Sequence, residues 1–160
     1  MPLTELRKAY RNSLTDCAQG GFTLIEVLVA VFVLGIGLLG VAALQNASLQ
    51  TNHSAYLRSQ ATMLGYDAVD RMRANQPDVA NGLYDIALGA TPAGTGLAPT
   101  DLTDWKALLA NTLPSGDGSI CRSSNGTTCG AGGNIVLVTV RWDDTRGQGG
   151  LTQLTFTGEL

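Results

Sequence analysis

Between Phe22 and Leu44 the chain reads FTLIEVLVAVFVLGIGLLGVAAL, 23 residues with a single ionisable side chain, Glu26. As an α-helix this run is roughly 34 Å long at about 1.5 Å per residue, enough to cross a hydrocarbon layer of about 30 Å. A helix buried in a small globular domain is seldom apolar on every face for that length, so a membrane span is the expected fate of the segment. Arg7, Lys8 and Arg11 precede it, whereas the first twenty residues after it carry only Arg58. The positive-inside tendency then places residues 1–21 in the cytoplasm and everything beyond about residue 45 outside. A single-pass protein of a bacterial inner membrane with a periplasmic head is the expectation. An ordinary secretory signal fits poorly, because its apolar region is only about 7–15 residues long and its cleavage site follows an A-x-A pattern. Here Val41-Ala42-Ala43 is the nearest approach to such a site.

Within the run, Gly35-Ile36-Gly37-Leu38-Leu39-Gly40 spells G-x-G-x-x-G. That pattern cradles a dinucleotide only between a strand and a helix, with an acidic residue about twenty positions on. Position 60 is Gln60 and the surroundings are one continuous apolar helix, so the match is accidental. Small residues in such a helix permit close approach of another helix, or local unwinding.

Glu26 needs a reason to be where it is. A carboxylate within a span costs up to a few kcal/mol and is by default a functional candidate with a partner. Its position near the membrane edge, about 6 Å past Phe22, lowers that cost. The neighbourhood breaks the tie: a polar, charged leader ends in Gly20-Gly21, Phe22 opens the apolar run, and Glu26 follows. The string Gly21-Phe22-Thr23-Leu24-Ile25-Glu26-Val27-Leu28 resembles the N-terminus of type IV pilins and pseudopilins. The resemblance implies that a prepilin peptidase cuts between Gly21 and Phe22 on the cytoplasmic face and N-methylates Phe22. The new α-amino group, with an ordinary pKa of about 7.7–8.0, is mostly cationic at neutral pH. Glu26, buried among packed helices in a filament, would then pair with the Phe22 amine of an adjacent subunit. Such a pair can set axial register, because a shifted neighbour leaves both charges unpaired.

Beyond the span the helix is expected to continue to about Asn75, with Pro77 as its stop. Leu57, Ala61, Leu64, Ala68 and Met72 recur at spacings of three and four and form one apolar face, opposite Arg58, Asp70 and Arg73. Residues 54–62, with Asp70-Arg71-Met72-Arg73-Ala74-Asn75, are similar to one minor-pilin family, the type IV pilus modification protein PilV. Together with the N-terminus the likeness covers residues 20–76.

Residues 77–160 change character, with Gly, Ser, Thr and Asn in the connections. Ile135–Trp142 is the clearest strand, with Val136, Val138, Val140 and Trp142 on its apolar face. Leu151–Thr157 alternates likewise and should bury Leu154 and Phe156, with Asp143–Gly150 as the hairpin loop between them. Leu83–Leu88 is a further candidate strand. Thr103–Leu113 reads as a short helix with Asp101 or Thr103 near its cap. The expected architecture is α+β: a cytoplasmic leader over 1–21, a membrane or filament-core helix over 22–44, its amphipathic continuation over 45–76, and an antiparallel sheet in a pilin-like head over 77–160.

Cys17 leaves with the leader, which leaves Cys121 and Cys129. In an oxidising periplasm a short-loop disulfide is favoured over free thiols or a two-thiol metal site. His53 has no Ser, Cys or carboxylate partner in sequence. Asp143-Asp144 with Asp117 lacks the ligand ladder of a Ca²⁺ loop and reads as a solvated turn. Asn125-Gly126-Thr127 matches a glycosylation sequon in a composition where such triplets are common. Trp105 and Trp142 read as core aromatics. No catalytic, metal or cofactor site is expected.

Without the leader the chain keeps seven bases and eleven acids, which argues against a nucleic-acid partner. The resemblance implies a minor pilin, incorporated at or near the pilus tip to start assembly or present an adhesin. Its expected partners are the prepilin peptidase, other minor and major pilins, the inner membrane and a tip adhesin. The competing readings are a minor pseudopilin of type II secretion and a membrane-tethered periplasmic domain that never assembles.

Overall fold

The computed structural model describes residues 20–130, 132–145 and 149–159. Most of the leader, including Arg7, Lys8, Arg11 and Cys17, lies outside the described residues, as does part of the loop expected over 143–150. The elements in chain order are α1 (Leu24–Ala74), α2 (Gln76–Ala80), α3 (Leu97–Thr112), β1 (Asp117–Ser123), β2 (Ile135–Trp142) and β3 (Thr152–Glu159). Compact units meet between Ala47 and Ser48.

In the first unit Gly20 to Thr23 are non-helical and α1 begins at Leu24. All described residues here are exposed, among them Phe22, Leu24, Ile25, Phe32 and Leu39. An apolar surface of that extent is stable only against lipid or other apolar helices. By length and composition, α1 is the one described helix able to cross a membrane.

In the second unit the C-terminal part of α1 packs on a three-stranded antiparallel sheet of order β1-β2-β3. This is the expected α+β, pilin-like arrangement. Leu57, Ala61, Ala68 and Met72 are buried and Leu64 is partly so, as their spacing requires, while Arg58, Asp70 and Arg73 face solvent. Gly65 and Val69 complete the buried face. Gly65 is there for its missing side chain: a Cβ at this position would run into the Phe156 ring of β3. The central strand β2 supplies Val136, Val138, Val140 and Trp142 to the core, all buried to within about a hundredth of their surface. Its register runs from Ser123↔Ile135 to Asp117↔Arg141 on β1 and from Ile135↔Glu159 to Trp142↔Thr152 on β3.

Three local expectations are corrected, and one strand is found that the sequence did not announce. The long helix ends at Ala74, in line with the expected end near Asn75, but Pro77 is not what stops it. Asn75, at φ −134°, breaks the helix, and Pro77 occupies the first turn of α2, where its missing N–H costs nothing. Leu83–Leu88 contributes one β-bridge, Ile86↔Ile120, rather than a strand. Tyr84 in that segment turns inward to donate to Asp101, which breaks the alternation. Helix α3 starts six residues early, at Leu97, after Gly96 at φ 125°. Thr100 and Thr103 lie inside it, donating to the carbonyls of Gly96 and Pro99, and Asp101 is not a cap. Finally, β1 carries almost no propensity signal, with Ile120 its only β-branched apolar residue. It is made a strand by β2 beside it and by Gly118, where any Cβ would collide with the Trp105 ring of α3.

Candidate functional site

The segment that carries the sequence motif is built around a helix start. Thr23 sits just before α1, and its Oγ1 accepts from the Glu26 backbone N–H at 3.3 Å. The Thr23 carbonyl accepts from the N–H groups of Glu26 and Val27 at 3.0 and 3.3 Å. Thr-x-x-Glu is the signature of a helix N-cap, and it places the Glu26 carboxylate in the first turn, where the helix dipole favours negative charge. The same spacing that marks the motif therefore also fixes where the helix begins. Gly20 and Gly21 have open space around their α-carbons, so the Gly21–Phe22 peptide bond is non-helical and accessible. A protease needs that state of a substrate. Phe22 is 82% exposed. Gly35, Gly37 and Gly40 likewise have nothing within 4 Å of a built Cβ, leaving room for another helix to approach.

In the head, the charged side chains form internal ties rather than a reactive cluster. Arg71 binds Asp67 at 2.8 Å and Asp101 at 3.4 Å. Asp101 also accepts from the Tyr84 hydroxyl at 2.5 Å, and Asn75 Nδ2 donates to Tyr84 and to Asp78. This chain joins the end of α1 to α2 and α3. A second knot centres on Asp117, which accepts from Lys106 at 2.9 Å and from the Gly89 N–H at 2.6 Å, with Arg141 at 3.7 Å. Burial pushes the Asp117 carboxyl upward, but the hydrogen bonds from Lys106, Gly89 and Gly118 outweigh it and hold its pKa below the ordinary value. Asp117 is thus a structural anion whose carboxylate oxygens accept from Lys106 and the Gly89 N–H. Asp144 accepts from Ser54 at 2.6 Å, and Asp143 accepts from the Thr145 backbone N–H. Among the described residues no group of three or more His, Cys, Asp or Glu side chains is placed to hold a metal ion. His53 is exposed. Trp105 and Trp142 are core aromatics, as expected.

Burial first, and then donation to Asp101, push the Tyr84 phenol up from 10.0 to about 12. The folded protein keeps it neutral where the unfolded chain would ionise it. Its contribution is therefore intact below about pH 10 and is lost as pH rises toward the folded value. The urea midpoint of the wild type should fall between about pH 10 and about pH 12, and Tyr84→Phe should flatten that fall. An equal alkaline loss in both proteins would remove Tyr84 as its source.

Cys121 and Cys129 are joined, with Cα atoms 5.5 Å apart. Inside this loop Ser123 is fully buried and donates to Thr128 O at 2.7 Å. Asn125 Oδ1 accepts from the Thr127 and Thr128 N–H groups at 3.0 Å, so the sequon asparagine organises the loop. Closing a loop of this length stabilises the fold by about 2–3 kcal/mol in the chain-entropy treatment. Cys121→Ser with Cys129→Ser should lower the unfolding free energy by that amount, measured by urea titration. Alkylation of both cysteines in unreduced wild-type protein would contradict the pairing.

Residues 17–42 match the family model described as the prokaryotic N-terminal methylation motif. No curated protein and no solved structure gives a match to the chain. The motif, the long apolar helix that it opens and the small antiparallel head together support a type IV pilin-like protein. The motif implies a prepilin peptidase substrate, and the apolar helix suggests membrane anchoring.

Proposed function

We propose that this chain is a minor pilin of a type IV pilus, cut between Gly21 and Phe22, N-methylated on Phe22 and incorporated at or near the tip. Within that class the PilV-like stretch over 54–62 and 70–75 favours a part, with other minor pilins, in starting assembly or in presenting an adhesin. The carrying observation is the placement of the methylation motif: an accessible Gly21–Phe22 bond, a Thr23 cap and Glu26 in the first turn of a 51-residue helix. In the assembled state Glu26 pairs with the Phe22 amine of a neighbour and selects axial register. The disulfide fits an oxidising periplasm for the head. Other pilins, the prepilin peptidase and the inner membrane are its partners on this reading.

A minor pseudopilin of type II secretion has the same N-terminus and is the second reading. A chromosomal deletion scored for both surface pili and secreted enzymes separates the two. Loss of pili with normal secretion is the expected result; the reverse pattern would assign the chain to secretion. N-terminal sequencing should return N-methyl-Phe22, and a protein that retains its first 21 residues would remove it from both classes.

A further inference from the structure

The two edges of the head's sheet are treated differently. The outer edge of β1 is covered: Ile86 exchanges backbone hydrogen bonds with Ile120 at 2.8 and 2.9 Å. Beside it the Gly89 N–H reaches Asp117, and Arg122 of β1 reaches Asp85 and the Ala80 carbonyl. Among the described residues no strand or loop pairs with the outer edge of β3.

An open edge is a template for another chain, and proteins usually guard it with lysine, proline, a bulge or an inward charge. Strand β3 has none of these. Its eight residues, TQLTFTGE, pair one-to-one with β2 without a bulge, and the only charge is Glu159 at the end. Beside the edge lies an uncovered apolar ridge. Tyr66 and Met63 of α1 are 56% and 63% exposed, and the Tyr66 ring packs against Phe156 at 5.5 Å. Phe156 and Leu154, expected to be buried, are only partly so, and among the described residues no fourth strand continues the sheet beyond β3.

We infer that the outer edge of β3 is an acceptor for an extended strand of a partner protein. The free backbone row selects extended chain as the occupant, since only that satisfies successive N–H and C=O groups along an edge. The pleat defines its side chains. Alternate residues facing Leu154, Phe156 and Tyr66 are apolar, and those beside Gln153, Thr155 and Thr157 are polar. A cation stands opposite Glu159. A second copy of this chain does not meet these terms. Its β3, with Glu159 as the single charge in its eight residues, offers no cation to Glu159. The inference rests on the sheet edge alone and is independent of the pilin reading.

The test uses the full chain in detergent micelles and a synthetic eight-residue peptide of alternating Val and Thr ending in Lys, matched to β3 in length. Amide hydrogen exchange is followed residue by residue. The peptide should slow exchange of alternate β3 amides by about tenfold and leave β1 amides unchanged. The same peptide N-methylated on all its amides keeps its side chains but cannot pair, and should give no protection. Absence of protection on β3, equal protection of β1, or equal protection by the methylated peptide would each overturn the proposal.

Discussion

Trp105→Ala is expected to destabilise the head by about 3–5 kcal/mol, the range for removing a fully buried tryptophan. The ring is 1% exposed and lies against Gly118, which has no side chain and so lets α3 close onto β1. Its Nε1–H donates to the Leu64 carbonyl of α1 at 2.9 Å. The one residue therefore ties α1, α3 and β1 together, and its loss leaves a cavity and removes the hydrogen bond that joins α3 to α1. Urea unfolding of the full chain in micelles, followed by the fluorescence of Trp142, gives the value. A loss below about 1 kcal/mol would mean that the head closes over the gap and that Trp105 is not its keystone.

The second large effect concerns assembly. On the proposed role, Glu26→Val should be inserted, cut and methylated like wild type, because the exposed Gly21–Phe22 bond and the Thr23 cap do not use the carboxylate. Incorporation into filaments should fall by about a hundredfold or more, the consequence of leaving a buried amine without its partner at about 3–5 kcal/mol. Quantifying the variant in purified pili against its membrane pool measures this directly. Wild-type incorporation would show that Glu26 serves only the first turn of α1. The double change of Thr23→Ala and Glu26→Val then separates the roles, since only helix capping depends on Thr23.

Much of this protein is legible because its signals are local. The apolar run, the position of Glu26 and the five-residue stripe from Leu57 to Met72 each follow from helical spacing and appear where that spacing puts them. Strand β2 is equally plain, with β-branched residues alternating about a buried face. The misreadings share another cause. Pro77 looks like a stop in sequence because proline lacks an N–H, yet that same lack suits it to the first turn of α2. Asp101 resembles a cap but is held by Tyr84 and Arg71, residues 17 and 30 positions away. Strand β1 has little propensity of its own and exists because β2 and Trp105 create a place for it.

The linear order of residues thus determined the apolar helix, its processing-motif N-terminus, the buried stripe and the central strand, since hydrophobic period and capping act within a few residues. Only the folded head decided that Asp117 belongs to Lys106 and Arg141, that Gly65 and Gly118 mark ring contacts, and that among the described residues one edge of the sheet is covered while the other is not. Those outcomes depend on groups far apart in the chain meeting in space, and residue spacing carries no record of them.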